Sequence, residues 1–333
     1  MKSWVKAPLL LTLCIVLALG ACSSKDDKKN GKNLTTVTVM LDWYPNAVHT
    51  ALYDAIEKGY FEKEGLDVEV KMPAETNDPI KLVAANKIDI AISYQTQVIV
   101  SRAQDIPVVS IGAVVRHPLD YLMVKSSSGI KRPKDLEGKV LGSSSAPVGE
   151  ALIDTVIKHD GGDPTKVKKR DVGFNLIPSL ATDRVDAIDG AYINHEKILL
   201  EKEGHKITAF NPAEYGVPDY YELVAIASEE GISKNKEMYK KFWRALSKGQ
   251  ENTKKNPDKT LQQLLQHEDK SFKLDADVEK KSLQVLLPLM DSGKKPFGYQ
   301  EEASWRDVAH WMYKQGAAKR DIDVKKAFVN IMD

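Results

Sequence analysis

Thr36-Val37-Thr38-Val39-Met40-Leu41 runs directly into Asp42-Trp43-Tyr44-Pro45-Asn46-Ala47-Val48-His49. The first six residues are β-branched or apolar and contain no turn residue, which predicts a buried strand. In the next eight, Pro45 fixes a turn and polar residues open a helix over 48–64, with Gly65 as a candidate C-cap. The alternation then repeats. Residues 66–70 alternate as a second strand, 78–86 form a short helix, and 87–92 form a third strand. A helix over 95–104 and a strand over 108–115 follow. This order predicts a mainly parallel sheet with helices on both faces. Ligands of such sheets sit outside the carboxyl ends of the strands, so 42–49 is the first candidate site.

The pattern restarts further on. Residues 121–124 read as a strand leading into the polar, glycine-bearing stretch 126–138, which is expected to cross between two lobes. Beyond it lie a strand at 139–142, a helix over 148–159, a short helix over 175–182 and a strand at 185–189. A helix over 194–203 and a strand at 205–210 complete the unit. Residues 221–227 are an apolar strand with no place left there, so they are expected to return to the first lobe. The rest reads as helices over 236–253, 257–267, 276–289 and 301–315, with Leu261, Leu264 and Leu265 as an ordinary packing stripe. The expectation is an α/β chain of two lobes. Residues 34–125 and 221–333 form a discontinuous first lobe, and 126–220 form an inserted second lobe.

The start of the chain carries an address. Lys2 and Lys6 precede an apolar run over 8–19, which is short for a bilayer span and fits a secretory signal over 1–21. Leu19-Gly20-Ala21-Cys22 resembles a bacterial lipoprotein cleavage box, with Cys22 as the acylated residue. Residues 22–33 have the composition of a flexible tether. Lys and Arg total 48 against 47 Asp and Glu, in small mixed clusters, which argues against a nucleic-acid surface. The basic run Lys166-Val167-Lys168-Lys169-Arg170 reads as solvated surface. No nucleophile elbow, paired-cysteine motif or phosphate loop is present, so no catalytic residue, metal or cofactor is expected. The stretch Gly142-Ser143-Ser144-Ser145-Ala146-Pro147-Val148-Gly149 opens a helix that offers amides to an anionic or carbonyl group.

Two patterns fall at strand ends. The first is 42–49, where Asp42, Trp43, Asn46 and His49 combine a flat ring with polar ends. The second is Tyr215-Gly216-Val217-Pro218-Asp219-Tyr220-Tyr221-Glu222, ahead of the return strand. Facing one cleft, they would make a pocket with aromatic walls and a few hydrogen-bonding groups, suited to a small planar heteroaromatic ring. A sugar site would use the same walls.

The chain resembles the bacterial solute-binding proteins of ABC transporters with the type II fold, in the branch shared with fungal pyrimidine synthases of thiamine biosynthesis. The residues that carry this are Leu41 to Asn46 with His49, Lys58-Gly59-Tyr60-Phe61, Glu64-Gly65-Leu66, Lys87-Ile88-Asp89-Ile90-Ala91, Gly190-Ala191-Tyr192-Ile193-Asn194-His195-Glu196 and 215–224. The resemblance implies a monomeric receptor, anchored by lipid to the extracytoplasmic face of the cell membrane. It would deliver a thiamine-related pyrimidine, a formylaminopyrimidine, to a permease driven by an ATPase. It implies that Trp43 and a tyrosine from Tyr192, Tyr220 or Tyr221 sandwich the ring, and that Glu222 pairs with the exocyclic amine and ring nitrogen. Asp42, Asn46 and Asn194 would hold the side arm, with Gln95 and Glu150 as further strand-end contacts. The fungal synthases hold pyridoxal phosphate on a lysine that would fall just after Ile92, where this chain has Ser93, and they carry a cysteine-rich segment that this chain lacks. An enzyme is therefore not expected. Riboflavin-related, sulfonate, nitrate and amino-acid binders, and a surface sensor without a permease, are the other readings.

Overall fold

The structure, a computed structural model, describes residues 28–29, 32–143, 147–173 and 175–333. The expected signal segment 1–21, Cys22, Ser144 and Ser145 lie outside the described residues. Of the expected tether, β1 (Lys28–Lys29) and β2 (Lys32–Asn33) are described and pair antiparallel.

The first sheet holds β3 (Thr35–Met40), β4 (Leu66–Lys71), β5 (Ile90–Ser93), β6 (Val108–Val115) and the return strand β12 (Leu223–Ser228), in the order β4-β3-β5-β12-β6. Strand β3 pairs parallel with β4 and β5, while β12 pairs antiparallel with β5 and β6. The helix predicted over 48–64 is divided. A 3-10 turn at Ala47–His49 leads to α1 (Thr50–Glu57), and α2 (Tyr60–Lys63) follows Gly59, whose φ of 62° takes the backbone out of the helix. Helices α3 (Asp78–Ala84) and α4 (Gln95–Arg102) fall where expected.

The second sheet contains β7 (Asp120–Lys125), β8 (Val140–Ser143), β9 (Lys168–Asp171), β10 (Ala187–Tyr192) and β11 (Ile207–Phe210), in the order β11-β7-β10-β8-β9. Strand β8 pairs parallel with β9 and β10, whereas β7 pairs antiparallel with β10 and β11. Both sheets are therefore mixed: half of the pairings in each are antiparallel, because one strand in each runs against its neighbours. Helices α5 (Pro147–His159), α6 (Leu176–Ala181) and α7 (Glu196–Lys202) flank this sheet.

Strand β7 corrects the expected boundary at 125. Its apolar residues Leu122, Met123 and Val124 are buried against β10 and β11, so it belongs to the second sheet. The chain crosses between sheets at 116–119 and again at 211–222. The stretch 126–138, expected to be a crossing, instead forms two 3-10 turns at Ser126–Ser128 and Pro133–Leu136 within the second unit. Strand β9 was not expected. All four of its residues are exposed, and its charges suit an unpaired sheet edge.

After β12 come α8 (Glu229–Lys255), α9 (Pro257–Leu265), α10 (Ala276–Leu289) and α11 (Glu302–Lys314). Helix α8 starts seven residues earlier than predicted because Ser228 caps it through Gly231 N–H. Asn235 breaks it with φ −138°, just before the predicted start at 236. Phe242, Trp243 and Leu246 of α8 pack on the first sheet beside α1. Helix α11 reaches both units: buried Trp305 and Trp311 share a core with Ile80 and Val156, and Trp311 Nε1 donates to Thr155 Oγ1 of α5 at 3.1 Å. Among the described residues no helix is long and apolar enough to cross a membrane.

Candidate functional site

A cavity of about 420 Å³ lies between the two sheets. Its walls follow the carboxyl ends of β3, β5 and β10: Asp42, Trp43, Tyr44 and Asn46 come from the first, Tyr94 from the second, and Gly190 and Tyr192 from the third. Asn194, His195 and Glu196 open α7 on one side, and Glu279 and Ser282 of α10 close another.

The loop after β3 is held from within. Asn46 caps the 3-10 turn through Val48 N–H at 3.0 Å, and its own N–H donates to His49 Nδ1 at 3.2 Å. Nδ1 thus accepts, which leaves the proton on Nε2, and Nε2 donates to Asp42 Oδ1 at 2.9 Å. His49 is buried behind Asp42 and orients it without lining the cavity itself. Glu279 Oε2 accepts Ala47 N–H at 2.7 Å, so α10 fastens the same loop across 232 residues. Burial pushes the Glu279 carboxyl up despite that hydrogen bond. Trp43 is half-buried, with its ring 5.8 Å from that of Tyr44 and tilted by 48°. Tyr44 in turn stacks on Phe272 at 4.8 Å.

Across the cavity, Tyr192 carries its hydroxyl inward to Glu222 Oε1 at 3.0 Å, and its N–H donates to Glu196 Oε2 at 2.8 Å. Burial first, then the charge of Glu222, raises the Tyr192 phenol well above its usual range. His195 Nδ1 meets Glu196 Oε1 at 2.9 Å. Burial alone would lower the His195 imidazole, but the hydrogen bond and charge of Glu196 outweigh it and the net shift is upward. Asn194 Nδ2 donates to Ser282 Oγ at 3.0 Å, while its Oδ1 is buried without a partner. The described lining residues include the carboxylates Asp42, Glu196 and Glu279 and the rings of Trp43, Tyr44, Tyr94 and Tyr192, but no Lys or Arg.

Of the candidates read from the sequence, Asp42, Trp43, Asn46, Tyr192 and Asn194 line this one cavity. The other candidates lie elsewhere. Glu150 is exposed on α5 and pairs with Lys169 Nζ at 2.8 Å. It is Gly149 that faces inward, where an added Cβ would come within 2.8 Å of Asp189 Oδ2; one residue further is about 100° around the helix, toward solvent. Gln95 is buried and accepts Tyr221 N–H at 2.7 Å. The Tyr221 ring packs toward Trp305 under the Arg116 guanidinium, and its hydroxyl accepts Glu301 N–H at 2.8 Å. Tyr220 is buried in the core. Glu222 lies behind Tyr192 and accepts from three of the protein's own donors.

Sequence reasoning missed Tyr94, His195, Glu196 and Glu279. Glu196 and His195 stood inside the quoted run 190–196, and Tyr94 directly follows strand β5, so each had a local signal. Glu279 had none, since only the fold brings α10 to the loop at 42–49.

A family model described as NMT1/THI5 like matches residues 46–260. The chain belongs to this family. Within the NMT1/THI5-like proteins it is 43% identical over 334 residues to a formylaminopyrimidine-binding protein of Halalkalibacterium halodurans, covering 100% of each chain. It is also 26% identical over 239 residues to a 4-amino-5-hydroxymethyl-2-methylpyrimidine phosphate synthase of Saccharomyces cerevisiae, covering 69% of this chain and 70% of the other. In this family member the residue after Ile92 is Ser93, buried, with its hydroxyl donating to Gln97 Oε1 at 3.0 Å; the position offers no amine. The fold is similar to the periplasmic aliphatic sulphonate-binding protein of Escherichia coli, with a TM-score of 0.71 at 13% identity, covering 87% of this chain and 96% of that one. The chain has the two-lobed fold of periplasmic binding proteins, with mixed sheets. The full-length match and the fold are those of non-catalytic solute-binding proteins.

Proposed function

We propose that this chain is the extracytoplasmic solute-binding component of an ABC importer, and that it captures a thiamine-related pyrimidine, a formylaminopyrimidine. The observation that carries the reading is the lining of the cavity: three carboxylates and four aromatic rings, with no Lys or Arg among the described lining residues. Such walls suit a flat, nitrogen-rich ring that donates hydrogen bonds, and their three carboxylates outnumber the one imidazole, His195, that could carry a positive charge. A sulfonate or nitrate site needs cationic or amide donors in their place. The full-length similarity to a protein named for formylaminopyrimidine binding supports the same solute.

In this reading Trp43 and Tyr192 flank the pyrimidine from opposite lobes. Glu196 accepts from its exocyclic amine, and Asp42, Asn46 and Asn194 hold the formylaminomethyl arm. A ligand touching both lobes stabilises their closed arrangement, because those contacts are complete only when the cleft shuts. We assign the strand orders, each with one reversed strand, to the type II arrangement. Cys22 carries the lipid anchor, and the tethered monomer presents the loaded form to a permease and its ATPase. Tryptophan emission tests the assignment. Formylaminopyrimidine is expected to quench emission in the wild-type protein and not in Trp43→Phe, while an alkyl sulfonate leaves both unchanged. Quenching by the sulfonate alone would refute the reading.

A further inference from the structure

The carboxylate of Glu222 sits where both crossings between the lobes meet. Glu222 is the last residue of the returning crossing 211–222, and Leu119 is the last residue of the outgoing crossing 116–119. Its Oε2 accepts Leu119 N–H at 2.7 Å and Asp120 N–H at 3.2 Å, which joins the two crossings 102 to 103 residues apart in sequence. Its Oε1 accepts the Tyr192 hydroxyl at 3.0 Å. Glu222 is 4% exposed and does not line the cavity, whereas Tyr192 does. An ionised carboxylate has about four acceptor sites, and here protein donors occupy three of them.

We infer that Glu222 is a positioning residue: it fixes the two crossings to each other and links them, through the Tyr192 hydroxyl, to the wall on which the solute packs. The link to the solute rests on the function proposed above; the clamp between the crossings does not. Buried, engaged by three protein donors and absent from the cavity lining, Glu222 acts on a ligand only through Tyr192. The clamp and the wall share one carboxylate, so a shift of the Tyr192 ring on loading acts on the point about which the lobes turn. A glutamine can satisfy the same partners, its oxygen taking the two backbone N–H groups and its amide donating to the Tyr192 hydroxyl oxygen. Alanine leaves the backbone donors unpaired and the Tyr192 ring unsupported.

The test combines calorimetric titration with formylaminopyrimidine and amide hydrogen exchange at Leu119 and Asp120. In Glu222→Ala the two amides are expected to exchange at least about tenfold faster and affinity to fall about tenfold or more, and Glu222→Gln is expected to rescue both. A glutamine variant that binds as weakly as the alanine variant, with both amides still protected, would show that the charge acts on the ligand and overturn the inference. Should the alanine variant not fold, Tyr192→Phe decides: the amides stay protected and affinity falls, whereas unchanged affinity breaks the link from wall to crossings. If the wild-type protein binds no pyrimidine, the functional reading fails, and the exchange rates alone still decide whether Glu222 clamps the crossings.

Discussion

Asp42 reaches the cavity because its neighbours leave it one orientation. Asn46 N–H sets the tautomer of His49, and His49 sets Asp42. That chain of contacts was legible in part, since all three residues lie within nine positions of one strand end. Glu150 and Tyr221 were not legible at this scale: a residue type suited to a site was visible, but its direction depends on helix phase and on the path of a crossing. Next to the lining residues Leu119 and Gly190 stand two further acids, half-buried Asp120 and buried Asp189. Burial first, then the charges of Asp189 and Glu222, pushes the Asp120 carboxyl well up, and burial pushes Asp189 to about 7. A carboxyl whose folded pKa lies above its unfolded value, about 3.9, contributes stability that is present in acid and lost as pH rises through the folded value. Chemical denaturation is therefore expected to show stability falling between about pH 4 and pH 7, by on the order of a few kcal/mol, with Asp189→Asn removing roughly half of the decline or more. A decline that is the same in the variant would exclude Asp189 as its source.

At the scale of elements, the strands and helices of the first lobe were legible because their apolar periods are long and their ends carry glycine or proline. Strand β9 was not, since a fully exposed edge strand has no apolar pattern to read. Strand β7 was legible as a strand but not by its sheet, because pairing partners far along the chain decide membership. The packing of α8 on α1 depends on one glycine. A Cβ at Gly249 would lie 2.1 Å from the Ala51 carbonyl oxygen and 3.0 Å from Ala55 Cβ. Backbone cannot yield as a side-chain tip does, so Gly249→Ala must push the helices apart. A loss of about 1–3 kcal/mol is expected in urea unfolding, despite the better helix propensity of alanine. A variant as stable as wild type would mean that the two helices separate at no cost.

For the whole molecule, the two-lobed plan followed from one return strand with no place in the second unit, and β12 does pair with β5 and β6 of the first sheet. What the sequence left open was which aromatic and acidic residues share the cleft, because both crossings and α10 must be in place before they meet. The cleft that results is acidic and aromatic, and its walls come from both lobes. Its selectivity is the central claim, and calorimetric titration of the purified protein with formylaminopyrimidine, and separately with an alkyl sulfonate, tests it most directly. Saturable binding of the pyrimidine with a Kd below about 10 μM, and no heat from the sulfonate, is the predicted result. Tight binding of the sulfonate with none of the pyrimidine would contradict the account.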